Sequence, residues 1–161
     1  MSKKLIVNCS FEVYDSLNEL NVQDLNLLNA AKNAIENAYA PYSQFYVGAA
    51  VLLENGIIVT GNNQENAAYP SGVCAERVAV FYASSQYPDK KIIAVAVSVK
   101  SKNKPINKPV SPCGACRQSL SEYEVKFNSP IRLIMAGMSG EVYVSDSISN
   151  LLPITFSSKD L

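Results

Sequence analysis

The side chains able to do chemistry lie in two short stretches of this chain. One is Cys74-Ala75-Glu76-Arg77, the other Pro112-Cys113-Gly114-Ala115-Cys116. There is no histidine among the 161 residues. That excludes Ser-His-Asp and Cys-His arrangements and every histidine-ligated metal. Acid–base work near neutral pH must then fall to a carboxylate, a lysine, a tyrosine, a thiol or metal-activated water.

Cys113 and Cys116 are three positions apart, so on a helix their sulfurs lie side by side. If that helix starts at Pro112 or Cys113, both thiols sit in its first turn, where the macrodipole and unpaired N–H groups favour thiolate. Cys74 follows the breaker pair Ser71-Gly72 and opens a second helix. Two helix starts that converge would present three thiolates to one cation. Zinc suits soft sulfur ligands, and three of them leave a fourth position open, the pattern of a catalytic site. Mid-helix, Cys74 and Glu76 would point apart by about 200°. With Cys74 at the helix start, Glu76 reaches the metal's water without being a ligand and is a candidate proton shuttle. Three thiolates and Zn²⁺ sum to −1, and Arg77 is placed to offset part of that charge.

Taken singly, each feature has a plainer explanation. Cys74 alone would be a small buried hydrophobe, and Glu76-Arg77 a surface ion pair. A lone C-x-x-C could be a redox pair. The fourth cysteine, Cys9, could close a structural Cys₄ site on a non-catalytic scaffold, although its spacing matches no common zinc module.

The elements that must position these residues are legible from periodicity. Leu25, Leu28, Ala31, Ile35 and Ala38 predict an amphipathic helix from Val22 to about Ala40, capped by Asn21 and stopped by Pro41. The stretch YVGAAVLL, then ENG, then IIVT predicts a hairpin turning at Asn55-Gly56. Further helices are expected from about Cys74 to Ser85 and from Cys113, with Cys113, Cys116, Leu120 and Tyr123 on one face. The unbroken apolar run at 92–97 reads as a central strand covered on both faces. IRLIMA and EVYV add two strands, SISNLLP a final short helix, and residues 1–20 a short strand. Alternating strands and helices predict an α/β fold.

Composition bounds the remainder. The length fits one domain over 1–161, which buries roughly 70% of its unfolded surface. Hydrophobic residues make up 48% and charged residues 17%, with zero formal net charge, so no nucleic-acid partner is expected. No apolar run reaches the roughly 18 residues of a membrane span and no signal-peptide core follows the start. The expected location is cytoplasmic.

The joint pattern, C-A-E, then 35 residues, then P-C-x-x-C, has the form of the zinc deaminase signature in its three-cysteine variant. Together with YAPYSQFYVGAAV, GNNQENAAYPSGVCAERVAV, SPCGACRQSL and LLPITFSSKDL, it resembles the cytidine deaminase family in its small homotetrameric form, from about Leu25 to Leu161. The resemblance implies a three-layer α/β/α sandwich with a mixed sheet, and one Zn²⁺ per subunit on Cys74, Cys113 and Cys116. It implies Glu76 as general acid/base, with hydroxide generated at zinc attacking C4 of cytidine or deoxycytidine to give the uridines. Asn63 and Glu65 match the pair that holds the ribose hydroxyls. Tyr69 and the backbone of Ala75 match further substrate contacts, and Phe45 an aromatic packing on the pyrimidine. Phe156 matches one contributed by a neighbouring subunit of a homo-oligomer. Gln64 departs from the family's usual Val or Ile. The first 20 residues exceed the common length, and their role is not implied. Within the superfamily, deamination of a nucleoside antibiotic such as blasticidin S is the runner-up, with N-x-E-N and the LLPxxF tail favouring cytidine.

Overall fold

The computed structural model describes residues 2–161. Six strands form one sheet in the order β1-β6-β5-β4-β2-β3. They are β1 (Glu12–Tyr14), β2 (Phe45–Leu53), β3 (Ile58–Asn62), β4 (Ile92–Ser101), β5 (Arg132–Ala136) and β6 (Val142–Ser145). Only β4 and β5 run parallel; the other neighbours are antiparallel. The mixed sheet follows from the connections, because the parallel pair is joined through helix α3 (Gly114–Phe127) while β2 and β3 are joined by a tight turn.

Helix α1 (Val22–Ala34) covers one face of the sheet, and α2 (Ala75–Gln86) and α3 the other. The strands show why this works. In β4, Ala94 and Ala96 enter the core beneath α1, whereas Val95 and Val97 enter the core beneath α2 and α3. In β2, Ala50 and Leu52 face α1 while Ala49, Val51 and Leu53 face the other layer. A strand flanked by helices on both sides has no polar face to show, which is the unbroken apolar run seen in the sequence.

Two close approaches set how the helices sit. A Cβ on Gly48 would lie 2.0 Å from the Ala31 carbonyl oxygen, and one on Gly61 2.5 Å from the Ala79 nitrogen. Glycine at these positions lets α1 and α2 lie directly on the sheet. Asn21 caps α1 by accepting from the Asp24 N–H at 2.9 Å. Asp24, itself buried, takes a two-pronged bond from Arg132 at 2.9 Å on each oxygen, tying α1 to β5.

Several expected boundaries shift. The first helix ends at Ala34 and tightens into a 3-10 turn over Ile35–Asn37, so it stops short of Pro41. The β2–β3 hairpin turns where expected, but only Gly56 has positive φ, at 83°. Gly56 N–H bonds Leu53 O and Leu53 N–H bonds Ile57 O. That is a turn followed by a left-handed glycine, not the two-residue mirror turn. The helix expected over SISNLLP is a single 3-10 turn at Ser149–Leu151, and a further 3-10 turn follows at Ser158–Asp160.

Candidate metal centre and active site

Cys74 and Cys113 both occupy helix N-cap positions, Cys74 ahead of α2 and Cys113 ahead of α3, with extended backbones. Neither side chain spends itself on capping, so both sulfurs are free to point off the helix ends. Cys116 lies one turn into α3 and is fully buried. The helices start on the same side of the sheet, and all three sulfurs lie within 4.8 Å of one another. Among the described residues this is the one group with metal-ligating geometry.

The electrostatics fit a cation. A hydrogen bond from Cys116, with help from Arg77 and Cys113, pulls the Cys74 thiol down to about 5 against the opposing effect of burial. The same interaction and burial push Cys116 up. The proton of the pair therefore stays on Cys116, and a thiolate-seeking metal would displace it. Arg77 lies against the Cys74 sulfur, yet its buried Nε has no hydrogen-bond partner. A set of ionised sulfurs supplies the acceptor that this N–H lacks. Three soft donors at two helix N-termini, backed by an arginine, fit zinc.

Glu76 stands in the first turn of α2 and is only 5% exposed. Burial is the main reason its carboxyl titrates above the usual range, and the negative charge on Cys74 adds to this. It lines a cleft of about 810 Å³ together with Cys74, Cys113, Phe45, Asn63, Glu65 and Tyr69. A cleft of that size holds a small organic ligand.

The cleft's far wall is built on the 63–66 loop. Asn63 Oδ1 accepts from Val47 N–H at 2.8 Å and its Nδ2 donates to Phe45 O at 2.9 Å. This fixes the loop to β2 and leaves one Nδ2 hydrogen free. Glu65 accepts from the N–H groups of Tyr42 and Ser43 at 2.9 and 3.2 Å, and from the Ser43 hydroxyl. Burial works against the Glu65 carboxylate, but these bonds outweigh it and hold its pKa below the usual range.

Most sequence-derived candidates therefore converge. Ala75 is buried at the first position of α2 and offers the cleft no side chain; its N–H belongs to the helix's unpartnered first turn. Phe156 lies outside the cleft and is exposed, its carbonyl bonded to Gln118 Nε2 at 2.9 Å. Sequence reading assigned no role to Tyr42 and Ser43, the anchors of Glu65, although both lie in the quoted YAPYSQF stretch. It also passed over Arg117, which holds the loop in front of Cys113 through Pro112 O at 2.9 Å and Ser111 Oγ at 2.7 Å. A cation directly after the C-x-x-C was the available signal.

Residues 21–128 match the family model of the cytidine and deoxycytidylate deaminase zinc-binding region. The chain is 38% identical over 135 residues to a cytidine deaminase of Halalkalibacterium halodurans, covering 84% of this chain and 95% of that one. It is 40% identical over 136 residues to a cytidine deaminase of Sporosarcina psychrophila, covering 84% and 92%. The crystal structure of a cytidine deaminase from Burkholderia pseudomallei superposes with a TM-score of 0.69 at 39% identity, covering 81% of this chain and 97% of that one. With the three sulfurs gathered and the cleft beside them, these matches settle the family: the chain belongs to the cytidine deaminases.

Proposed function

We propose that this chain hydrolyses the exocyclic amine of cytidine and deoxycytidine, giving uridine or deoxyuridine and ammonia. The observation that carries this is the buried Glu76 carboxyl opening onto the same cleft as a three-sulfur cluster. Cys74, Cys113 and Cys116 would hold one zinc. Bound there, zinc supplies the Lewis acidity that makes water a nucleophile near neutral pH.

The protein's own residues do the rest. Glu76 takes one proton of the attacking water and passes it to pyrimidine N3. It then takes the remaining proton from the hydroxyl added at C4 and delivers it to the amine nitrogen as the C4–N bond breaks and the C4 carbonyl forms. Its burial supports this, because a carboxyl with a raised pKa can hold and release a proton near neutrality. Phe45 packs on the pyrimidine. Asn63, through its free Nδ2 hydrogen, and Glu65 hold the ribose hydroxyls, with Tyr69 and the Ala75 N–H as further contacts. A site whose polar groups pair with hydroxyls rejects analogues that lack them. Arg77 bonds the ligand sulfurs and moderates their charge.

The exposure of Phe156 supports its reaching a neighbouring subunit's cleft, and with it a homotetramer. We further propose that 1–161 is one domain with residues 1–20 as an extension, and that it works in the cytoplasm. Its four cysteines are unpaired, as a reducing compartment keeps them. Among the described residues no helix is long and apolar enough to cross a membrane.

The test is ultraviolet absorbance of cytidine incubated with zinc-loaded protein, with Glu76→Ala alongside. The wild type should convert cytidine to uridine. Glu76→Ala should retain zinc and lose about 10²–10⁴-fold in rate. Full turnover by the variant would remove Glu76 from the mechanism. A zinc-loaded wild type that leaves cytidine intact but deaminates blasticidin S would move the substrate class.

A further inference from the structure

We propose that residues 4–12 form a self-complementary edge strand that pairs antiparallel with the same residues of a second copy, Asn8 facing Asn8, and so joins two sheets edge to edge. This goes beyond the tetramer proposed above, which concerns the subunit supplying Phe156.

β1 is the outermost strand of the sheet and only three residues long. Its outer edge offers unpaired backbone groups, which sheet proteins normally cover. Apolar residues before it stand open to solvent: Leu5 is 77% exposed, Ile6 68% and Val7 52%, as is Val13 at 54% within β1. All of these but Ile6 share one parity. Val13 pairs with Tyr143, and the Phe11 ring lies 6.0 Å from the Tyr143 ring, so the odd-numbered side chains already face the α2 and α3 side of the sheet. Leu5, Val7 and Cys9 continue that face in an extended chain.

The backbone agrees. Ser10 N–H donates to Asn150 Oδ1 at 3.1 Å, and Ser10 O accepts from Asn150 Nδ2 at 2.6 Å. Asn150 also donates through Nδ2 to Ser145 Oγ, at the end of β6, at 2.8 Å, so both main-chain groups of Ser10 turn toward the β6 side. By the alternation of an antiparallel strand, those of Cys9 and Phe11 turn outward, and it is the odd residues that would exchange bonds with a partner.

Centring the pairing on Asn8 sets Val7 opposite Cys9 and Leu5 opposite Phe11, twice over by symmetry. It sets Lys4 opposite Glu12 on the other face, also twice. Sliding by two residues sets Lys4 against Ser10 or Tyr14 and Glu12 against Ser2 or Ile6, and the one opposite-charge pair this creates, Lys3 with Asp15, falls past the end of β1 at Tyr14. Glu12 accepts one bond at present, from Tyr14 Oη at 3.0 Å, and retains acceptor capacity for a lysine. Cross-strand apolar and charge pairs specify register in this way, and edge pairing of an extended segment is an established mode of association.

The experiment uses the zinc-loaded full chain. Val7→Cys and Leu5→Cys are each exposed to oxidised glutathione, and disulfide-linked peptides are mapped. In the proposed register position 7 stands opposite the second copy's Cys9, within disulfide reach, whereas position 5 stands opposite Phe11. Val7→Cys should link to Cys9 at least tenfold faster than Leu5→Cys does. Sedimentation of Lys4→Glu should show self-association weakened about tenfold, with the double swap Lys4→Glu/Glu12→Lys restoring it. Equal or absent cross-linking at the two positions would overturn the proposal, as would sedimentation that Lys4→Glu leaves unchanged. None of these readings depends on cytidine turnover.

Discussion

Arg117 Nη1 donates to Leu151 O at 3.0 Å, and the other two nitrogens of the same guanidinium hold Pro112 O and Ser111 Oγ. One side chain on α3 therefore clamps the loop that delivers Cys113 to the segment that leads to Phe156. Alanine in its place leaves two carbonyls without partners and frees the Cys113 loop. Arg117→Ala should lower zinc affinity about 10–100-fold, the usual cost of losing a group that orients a ligand. The check is competition with a zinc chelator. Affinity equal to wild type, with Tm lowered, would make the clamp purely structural.

Much of this was legible in the chain, for identifiable reasons. Cys74, Cys113 and Cys116 could be gathered on paper because C-A-E and P-C-x-x-C together have the form of the zinc deaminase signature, with the breaker pair Ser71-Gly72 and Pro112 marking the two helix starts. The core strand at 92–97 was legible because burial on both faces erases alternation. Arg117 stood in view directly after the C-x-x-C, but its clamp, like the role of Ser43, was not legible, because the partners are backbone groups, a hydroxyl and a carboxylate brought close only by folding. The end of α1 was misplaced since Ala38 keeps the helical spacing while the chain has already turned into 3-10 geometry after Ala34. The structure also gives residues 2–11 a parity that their sequence alone leaves unanchored, through Phe11 on Tyr143 and Ser10 on Asn150.

Removing zinc should expose Cys74 as the reactive thiol of the cluster. Without metal its pKa of about 5 makes it thiolate at pH 6.5, and thiolate is the form that alkylates. Iodoacetamide at that pH should label Cys74 in chelator-treated protein and spare it in zinc-loaded protein. The exposed Cys9 should react equally in both and serves as the internal control. Equal labelling of Cys74 in the two forms would exclude it as a ligand.

Glu65 ties pH to the stability of the cleft wall. Its folded carboxyl titrates below the ordinary 4.5 because Ser43 and the Tyr42 N–H bond its ionised form. A depressed carboxyl pKa contributes stability above the unfolded value, and the contribution vanishes as pH falls through the folded one. Glu65→Gln should therefore lower Tm at pH 7, and the gap to wild type should narrow as pH falls below 4.5 and through the depressed folded value. Differential scanning calorimetry across pH 3 to 7 reads this directly. A gap that is constant with pH would assign the loss to shape instead of charge.

Gly61 makes the position of the catalytic helix testable from the strand on which that helix rests. An added Cβ would meet Ala79 N at 2.5 Å and Ala75 O at 2.8 Å, backbone atoms of α2 that cannot swing aside. Gly61→Ala must therefore lift α2 away from β3, and with it Cys74 and Glu76. Overpacking of this kind costs about 1–3 kcal/mol of stability. Displacing reacting groups by about 1 Å can cost a further 10²-fold in rate. Gly114 is the matched control, since a Cβ there meets nothing within 4 Å although it adjoins Cys113. Gly114→Ala should keep both Tm and kcat, whereas Gly61→Ala should lose kcat even at temperatures where it is fully folded. If Gly61→Ala lowers only Tm, the register of α2 on β3 does not set the geometry of the site.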